Sequence, residues 1–259
     1  NAIMSKKTQH PTTPQTKKKI LLAIPTARNI EVQTFKSMWD LQVPDGYELE
    51  FAYSFGYNIA QVRNLIASWT DKYDYLFSVD SDIVLPADTL VKLLSHDKDI
   101  ITGVYIQRKP EAQVPEIYRW KGNHLTNVSL NEIQPAGLHE IHGCGFGCVL
   151  VKSAVFAAIG YPQFVYHNAL NHRDTVSEDV YFALKAAEKG YKLFVDSSIV
   201  GRAELAGFLK SVTEPGVGPP ADIYASQPAF SPYGADEETD SESPFLSWSD
   251  LNSLSLDPY

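Results

Sequence analysis

Apolar positions in the first third of the chain repeat with two alternating periods, which predict strands and helices in turn. Residues 19–25 are almost continuously apolar and residues 47–53 alternate acidic with apolar side chains, so both stretches are predicted to be strands. Residues 32–39 and 58–69 carry apolar side chains at helical spacing, which predicts two helices. A third strand is predicted at 76–79, with apolar side chains on both faces. This order favours a parallel sheet with crossover helices.

The second half of the chain continues the pattern around an irregular insert. Residues 107–138 contain several prolines and no clear helical period, so we expect loops and short antiparallel strands there. The other predicted elements are a helix at 90–94, a strand at 99–106, a strand at 149–151, helices at 153–160 and 178–189, and a closing strand at 192–196. The predicted fold class is therefore α/β: a Rossmann-like, mostly parallel sheet flanked by helices, with a small antiparallel insert.

Composition divides the chain into three parts. Residues 1–18 are rich in Lys, Thr, Gln and Pro and are predicted to be a flexible lead-in, whereas 19–213 carry the periodic pattern of a folded domain. Residues 214–259 are rich in Pro, Ser and acids and are predicted to be a tail. Eight of the 31 acids lie between Asp222 and Asp257, which leaves 23 acids against 22 basic residues elsewhere. The domain therefore lacks the basic excess that would indicate a nucleic-acid partner.

Cysteine content and hydropathy bear on the compartment. The chain has two cysteines, too few for a disulfide framework and compatible with a reducing compartment. We find neither an apolar run of about 18 residues nor a secretory leader pattern. The sequence thus predicts a cytoplasmic protein without a transmembrane segment.

Two acids follow the third predicted strand. In an extended segment Asp80 and Asp82 would point the same way, while Ser81 would face away. Two converging carboxylates repel each other unless a cation or a shared proton lies between them, and oxygen ligands suit Mg²⁺ or Mn²⁺. The pair therefore indicates a metal and a phosphorylated ligand. The alternative is a turn at the strand end in which both acids are solvated.

A second acidic pair, Glu178 and Asp179, opens the helix at 178–189. Acids in the first turn of a helix are favoured by its dipole alone, by about 0.3–1 kcal/mol. A positioned carboxylate is also a suitable general base for a sugar hydroxyl. Both interpretations stay open for this pair.

Histidine and cysteine cluster in the glycine-rich stretch before the strand at 149–151. His139, His142, Cys144 and Cys148 are all zinc-ligand types, but their spacing matches no structural zinc pattern. The two cysteines would point alike along one extended strand, and buried thiols are the favoured interpretation.

Five motifs then occur in a recognisable order. They are Ile24-Pro25-Thr26-x-Arg28, Asn58-x4-Arg63-Asn64, Val79-Asp80-Ser81-Asp82, the run from Gly143 to Val151, and Ser177-Glu178-Asp179 with Gly190-Tyr191-Lys192. Together they resemble a GT-A fold glycosyltransferase, similar to family 2-like members of the kind found in phage and large-virus genomes. The resemblance extends from about Lys18 to Arg202 and leaves both ends uncovered.

This resemblance implies a site for the sugar donor. Asp82, with Asp80 close by, would hold Mn²⁺ or Mg²⁺ against the diphosphate of a nucleoside-diphosphate sugar. The other donor-binding residues that it implies are Pro25, Thr26 and Arg28 for the nucleoside, and Arg63, Ser81 and Arg202 near the diphosphate. For Arg63 the alternative is a helix arginine that faces solvent.

The resemblance also implies an acceptor side and an activity. Asp179 would be the base that deprotonates the acceptor hydroxyl, Glu178 would orient it, and Gly145 and Phe146 would line the acceptor side. The implied reaction moves a sugar, with inversion, from a nucleoside diphosphate to a glycan, lipid-linked or protein acceptor. Uridine is favoured over guanosine as the base.

One departure from the pattern keeps other functions open. Relatives often have a Gly-His pair that completes the metal site, where this chain has Gly201-Arg202. Either Arg202 contacts the phosphates directly or metal binding is weakened, which leaves a non-catalytic nucleotide- or sugar-binding module as one alternative. A haloacid dehalogenase-like phosphatase, whose Asp-x-Asp ends its opening strand, is the other.

Overall fold

A computed structural model describes residues 16–106, 114–122, 124–166 and 176–203 of the 259-residue chain. The predicted tail at 214–259 and most of the predicted lead-in lie outside these residues. The strands are β1 (Lys18–Thr26), β2 (Tyr47–Phe55), β3 (Tyr75–Val79), β4 (Ile83–Val84), β5 (Ile100–Val104), β6 (Ile117–Lys121), β7 (His124–Asn127), β8 (Leu138–Ile141), β9 (Gly143–Cys144), β10 (Cys148–Lys152), β11 (Leu193–Val200) and β12 (Arg202–Ala203). The α-helices are α1 (Val32–Trp39), α2 (Ile59–Ala67), α3 (Thr89–Ser95), α4 (Ser153–Ile159) and α5 (Glu178–Glu188).

Seven strands form the central sheet, in the order β2-β1-β3-β10-β5-β11-β8. Strands β2, β1, β3, β5 and β11 run in one direction, and β10 and β8 run in the other. The predicted α/β class with a mostly parallel sheet is thereby confirmed. The expectation that residues 192–196 close the sheet is wrong, because β8 pairs with β11 and forms the edge.

The predicted antiparallel insert is also present. Strands β7, β6 and β9 form a separate three-stranded sheet, in which Ile117 is paired with Cys144. Cys148 instead lies in the central sheet, where it is paired with Val79. The two cysteines therefore do not share one continuous strand as predicted. Both are buried, and burial raises the pKa of Cys144 and raises that of Cys148 to about 12.

Helices cover both faces of the central sheet. Side chains of α2, α4 and α5 form one buried cluster with one face of the sheet, including Ile66, Phe156 and Phe182. Side chains of α1 and α3, including Met38 and Leu90, form a second cluster on the opposite face. Strand β3 is buried along its whole length because it lies between these two layers.

Asn58 and Gly190 end helices as their residue types predict, whereas Ser153 does not. Asn58 caps α2, since its side-chain oxygen accepts a hydrogen bond from the backbone N–H of Gln61 at 3.1 Å. Gly190, with a φ of 84°, follows α5 in the left-handed conformation that terminates helices. Ser153 is a residue type that favours the cap of α4, but it is the first helical residue, and Lys152 occupies the cap position.

The helices in the described ranges are short. The longest, α5, has 11 residues. None of them has the length and apolar content needed to cross a bilayer.

Truncating Phe77 in β3 tests how much stability this buried layer provides. Phe77 is 0% exposed, so Phe77→Ala should lower the free energy of unfolding by about 3–5 kcal/mol through lost contacts and a residual cavity. Phe55→Ala at the end of the edge strand is the matched control, because Phe55 is 59% exposed; its cost should stay near 0.5–1 kcal/mol, an order-of-magnitude estimate. Urea unfolding measures both changes. Equal losses would contradict the layered core.

Candidate functional site

Two adjoining cavities open at the carboxyl ends of β1 and β3. The larger has a volume of about 380 Å³ and the smaller about 260 Å³. Arg63, Asp80 and Asp82 line both, so the cavities meet at these three side chains. The carboxyl end of a mainly parallel α/β sheet is where ligands usually bind.

The smaller cavity gathers several of the donor-side residues that the sequence predicted. Pro25 and Thr26, at the end of β1, line it together with Ser81. Thr26 is buried, and its hydroxyl donates to the backbone carbonyl of Asn29 at 2.8 Å, which fixes the bend that follows β1. Arg28 is different: it lies exposed in that bend and outside the wall of either cavity.

Asp80 and Asp82 lie at a turn, not in an extended segment. The backbone N–H of Ile83 donates to the carbonyl of Asp80 at 3.2 Å, so the chain reverses directly after β3. Asp82 is 8% exposed, whereas the side chain of Asp80 is 30% exposed. Both residues line both cavities, but the extended geometry expected for them is wrong.

Arg63 connects the two acidic motifs from beneath the cavities. One guanidinium nitrogen, Nη1, donates to Glu178 Oε1 at 2.8 Å, and the other, Nη2, donates to Asp80 Oδ1 at 3.1 Å. The side chain is 6% exposed, so the alternative of a solvent-facing helix arginine is wrong. Its guanidinium carbon also lies 5.3 Å from the ring centre of Phe146, within cation–π range.

Burial and charge act in opposite directions on this arginine. Burial by itself lowers the pKa of Arg63, but the carboxylates of Asp80, Asp179 and Glu178 raise it above its usual value. Burial and the neighbouring Asp179 raise the pKa of Glu178, against the opposing effect of Arg63. Arg63 thus stays cationic and is the centre of an acidic cluster.

The first turn of α5 directs its two acids to different places. Glu178 is 7% exposed and faces Arg63, whereas Asp179 lines the larger cavity. Oδ1 of Asp179 accepts hydrogen bonds from the hydroxyl of Ser177 and, at 2.8 Å, from the backbone N–H of Val180. Its other oxygen, Oδ2, lies 4.0 Å from Nη1 of Arg63. Asp179 is therefore held by one oxygen and can present the other to a ligand.

Tyr105 explains the glycines of the Gly145-Phe146-Gly147 turn. A Cβ atom on Gly145 would lie 1.8 Å from the hydroxyl oxygen of Tyr105, and one on Gly147 would lie 2.8 Å from its Cζ. The hydroxyl accepts a hydrogen bond from the backbone N–H of Gly147 at 3.1 Å. Both positions need glycine because the tyrosine occupies the space that a side chain would take.

Phe146 lies in the core and not at the cavity wall where an acceptor contact was expected. It is 2% exposed, and its ring packs edge-to-face on Phe164 and Phe182 at 4.9 and 4.8 Å. Gly145, by contrast, lies close to the cavity, since a Cβ atom added there would be 3.4 Å from Asp179 Oδ2. Of the two predicted acceptor residues, Gly145 is at the site and Phe146 supports Arg63 from below.

The larger cavity is also lined by residues that were not predicted as site residues, among them Tyr105, Glu116 and Tyr118. The hydroxyl of Tyr118 donates to Glu116 Oε2 at 2.5 Å, and burial raises the pKa of both tyrosines. Tyr105 carried a usable signal, because it directly follows an apolar strand, as Asp80 does. Glu116 and Tyr118 lie in the irregular insert, where the pattern contains no comparable signal.

The donor set at Asp80 and Asp82 fits a hard divalent cation. Within the described ranges no group of three or more histidine, cysteine or acidic side chains is arranged to hold a metal. Mg²⁺ and Mn²⁺ commonly take one or two carboxylates and complete their shell with water and substrate phosphates. Arg202 reaches this region through its backbone, which pairs with Val84 just beyond Asp82.

Comparison with known proteins finds a solved structure of similar architecture at low sequence identity. No protein-family model matches the chain, and no curated protein matches it. Among solved structures, GalNAc-T7 with UDP, GalNAc and Mn²⁺ is 10% identical with a TM-score of 0.50, over 73% of this chain and 44% of that one. The fold is of the GT-A type.

Two further solved structures are similar to the chain. A197 from STIV is 18% identical with a TM-score of 0.49, over 72% of this chain and 86% of that one. The inositol-1-phosphate CTP transferase from T. maritima is 12% identical with a TM-score of 0.42, over 73% and 89% of the two chains. The GT-A assignment depends on the GalNAc-T7 comparison.

Gly145→Ala tests the close approach of Tyr105 to the glycine turn. The new methyl group would overlap the tyrosine hydroxyl, so the variant should lose about 1–3 kcal/mol of stability through overpacking. Gly143→Ala is the matched control, since a Cβ there would meet Leu125 and Tyr118 at an ordinary 3.5 Å. Thermal or urea unfolding of both variants measures the difference. If Gly145→Ala is as stable as Gly143→Ala, Tyr105 does not occupy this space.

Proposed function

We propose that the protein is a metal-dependent glycosyltransferase that moves a sugar from a nucleoside diphosphate to an acceptor hydroxyl. The observation that carries this proposal is the meeting of two acidic motifs at one pair of cavities. Asp80 and Asp82 lie where the cavities join, and Asp179 lies in the wall of the larger one. A donor site and a base are thus within reach of the same ligand.

The smaller cavity is the proposed nucleoside site. Pro25 and Thr26 form part of its wall, beside Ser81 and the two aspartates that would adjoin the diphosphate. Uridine is favoured over guanosine, and Arg28 and Arg202 remain proposed phosphate or nucleoside contacts. Residues 19–213 are the proposed catalytic domain.

Asp80 and Asp82 would hold the divalent cation through their carboxylate oxygens. When bound, Mn²⁺ or Mg²⁺ supplies Lewis-acid stabilisation of the negative charge on the leaving diphosphate. Arg63 holds Asp80 in place through its hydrogen bond to Oδ1. This contact orients the carboxylate toward the junction of the cavities.

Asp179 is the proposed general base. The acceptor hydroxyl would form a bond to the anomeric carbon as the bond from that carbon to the diphosphate oxygen breaks, and its proton would pass to Asp179. Ser177 and the N–H of Val180 hold Oδ1, which leaves Oδ2 for the proton. A single displacement of this kind inverts the anomeric configuration. Glu178 contributes to the site indirectly, because its carboxylate accepts a hydrogen bond from Arg63 and does not line either cavity.

A nucleotide-binding module without turnover is the second candidate. It is favoured by Gly201-Arg202, which stands where the resembled family often has the Gly-His pair that completes its metal site. Such a module would bind the sugar nucleotide and leave the bond between its sugar and its diphosphate intact.

A thermal-shift screen tests the donor site. UDP, GDP and their common sugar conjugates are added with and without Mn²⁺, and Asp82→Asn is the control variant. A ligand at 100 times its dissociation constant should add about 2.7 kcal/mol to stability, which is a readily measured shift in melting temperature. We expect metal-dependent stabilisation by one nucleotide, lost in Asp82→Asn. A folded wild-type protein that no nucleotide stabilises would refute the proposed function.

A further inference from the structure

The proposed function restricts where the transferred sugar can lie. Its diphosphate would be held at Asp80 and Asp82, and the attacking acceptor oxygen would lie at Asp179. A displacement needs the leaving oxygen, the reacting carbon and the attacking oxygen roughly in line. The sugar that carries this carbon therefore occupies the part of the larger cavity between the two acidic motifs.

Tyr105 lies in that part of the cavity. A Cβ atom built on Gly145 would lie 1.8 Å from the hydroxyl oxygen of Tyr105 and 3.4 Å from Oδ2 of Asp179. A Cβ atom built on Gly147 would lie 2.8 Å from Cζ of Tyr105 and 3.1 Å from Oδ2 of Asp80. Tyr105 therefore lies near the proposed base Asp179 beside Gly145, and near the proposed metal ligand Asp80 beside Gly147.

The hydroxyl of Tyr105 has a proton to donate. The backbone N–H of Gly147 donates to it at 3.1 Å, which uses one of its lone pairs. Across residues 16–106, 114–122, 124–166 and 176–203 this is the hydroxyl's one hydrogen bond, and the side chain lines the larger cavity. The hydroxyl hydrogen is therefore available to an oxygen atom of a ligand in this cavity.

We propose that the Tyr105 hydroxyl donates a hydrogen bond to an oxygen of the transferred sugar. Tyr105 is then a specificity-determining residue for the donor sugar, and its contact is absent when the nucleoside diphosphate binds alone. The inference rests on the proposed function, because that function places the sugar in this cavity.

The test distinguishes the affinity that the sugar contributes from the affinity that the nucleotide contributes. UDP and a panel of UDP-glucose, UDP-galactose and UDP-N-acetylglucosamine, with GDP and GDP-mannose in parallel, are titrated with Mn²⁺ into wild type and Tyr105→Phe. For the tightest sugar nucleotide, loss of one hydrogen bond should weaken binding about three- to tenfold. Binding of the corresponding diphosphate should stay unchanged. A purely structural role would weaken both ligands alike.

Tyr73→Phe is the matched control. It removes a hydroxyl that donates to Glu50 at 2.7 Å on the surface, away from both cavities, and should change neither affinity. If Tyr105→Phe weakens both ligands equally, or neither, the inference is overturned while the proposed function stands. If no nucleotide binds wild type, the proposed function fails and the inference fails with it.

The wild-type arm of a second measurement needs no variant, so it can overturn the inference even if Tyr105→Phe does not fold. Sugar nucleotides that each lack one hydroxyl are titrated into wild type. One of them should bind about three- to tenfold more weakly than the parent, and should lose nothing further in Tyr105→Phe. The inference is overturned if every deoxy compound binds wild type as tightly as the parent. It is also overturned if, for every compound, the loss of affinity from the missing sugar hydroxyl and the loss from Tyr105→Phe are fully additive.

Discussion

A single buried cation, Arg63, connects the parts of the molecule that form the site. A buried charge is costly unless it is paired, and Arg63 is paired by Asp80 after β3 and by Glu178 at the start of α5. Removing one partner from such a buried group costs about 3–5 kcal/mol, so the position of α2, the turn after β3 and the first turn of α5 depend on one another. The ring of Phe146 supports the guanidinium from below.

This arrangement gives neighbouring acids different environments. Glu178 is used inside the protein to neutralise Arg63, which leaves Asp179 at the cavity with one oxygen held and the other directed to a ligand. Tyr105 lies beside both Asp179 and Asp80, and the glycines at 145 and 147 make room for it. The spacing of the proposed base and the proposed metal ligands is therefore set by packing as well as by charge.

Local sequence signals predicted much of the fold and several residues of the candidate site. Apolar periodicity located β1, β3 and α2, and acids directly after an apolar strand pointed to Asp80 and Asp82. Strand β8 was missed for two reasons. Its partner β11 lies about 55 residues further along the chain, so the pairing leaves no local pattern in the sequence. Its side chains are also partly exposed, so its apolar pattern is weak. Phe146 was misplaced because its glycine neighbours indicate close backbone approach and not the direction of the side chain between them.

The most direct test of the proposed mechanism measures binding and turnover in the same variant. Asp179→Asn keeps the size of the side chain but removes its capacity to accept a proton at the cavity. We expect wild type, with Mn²⁺ and with water as the acceptor of the sugar, to release nucleoside diphosphate from its sugar nucleotide. Asp179→Asn should bind the same compound with similar affinity but release little or none. Turnover by Asp179→Asn at the wild-type rate would contradict the assignment of the base and, with it, the proposed mechanism.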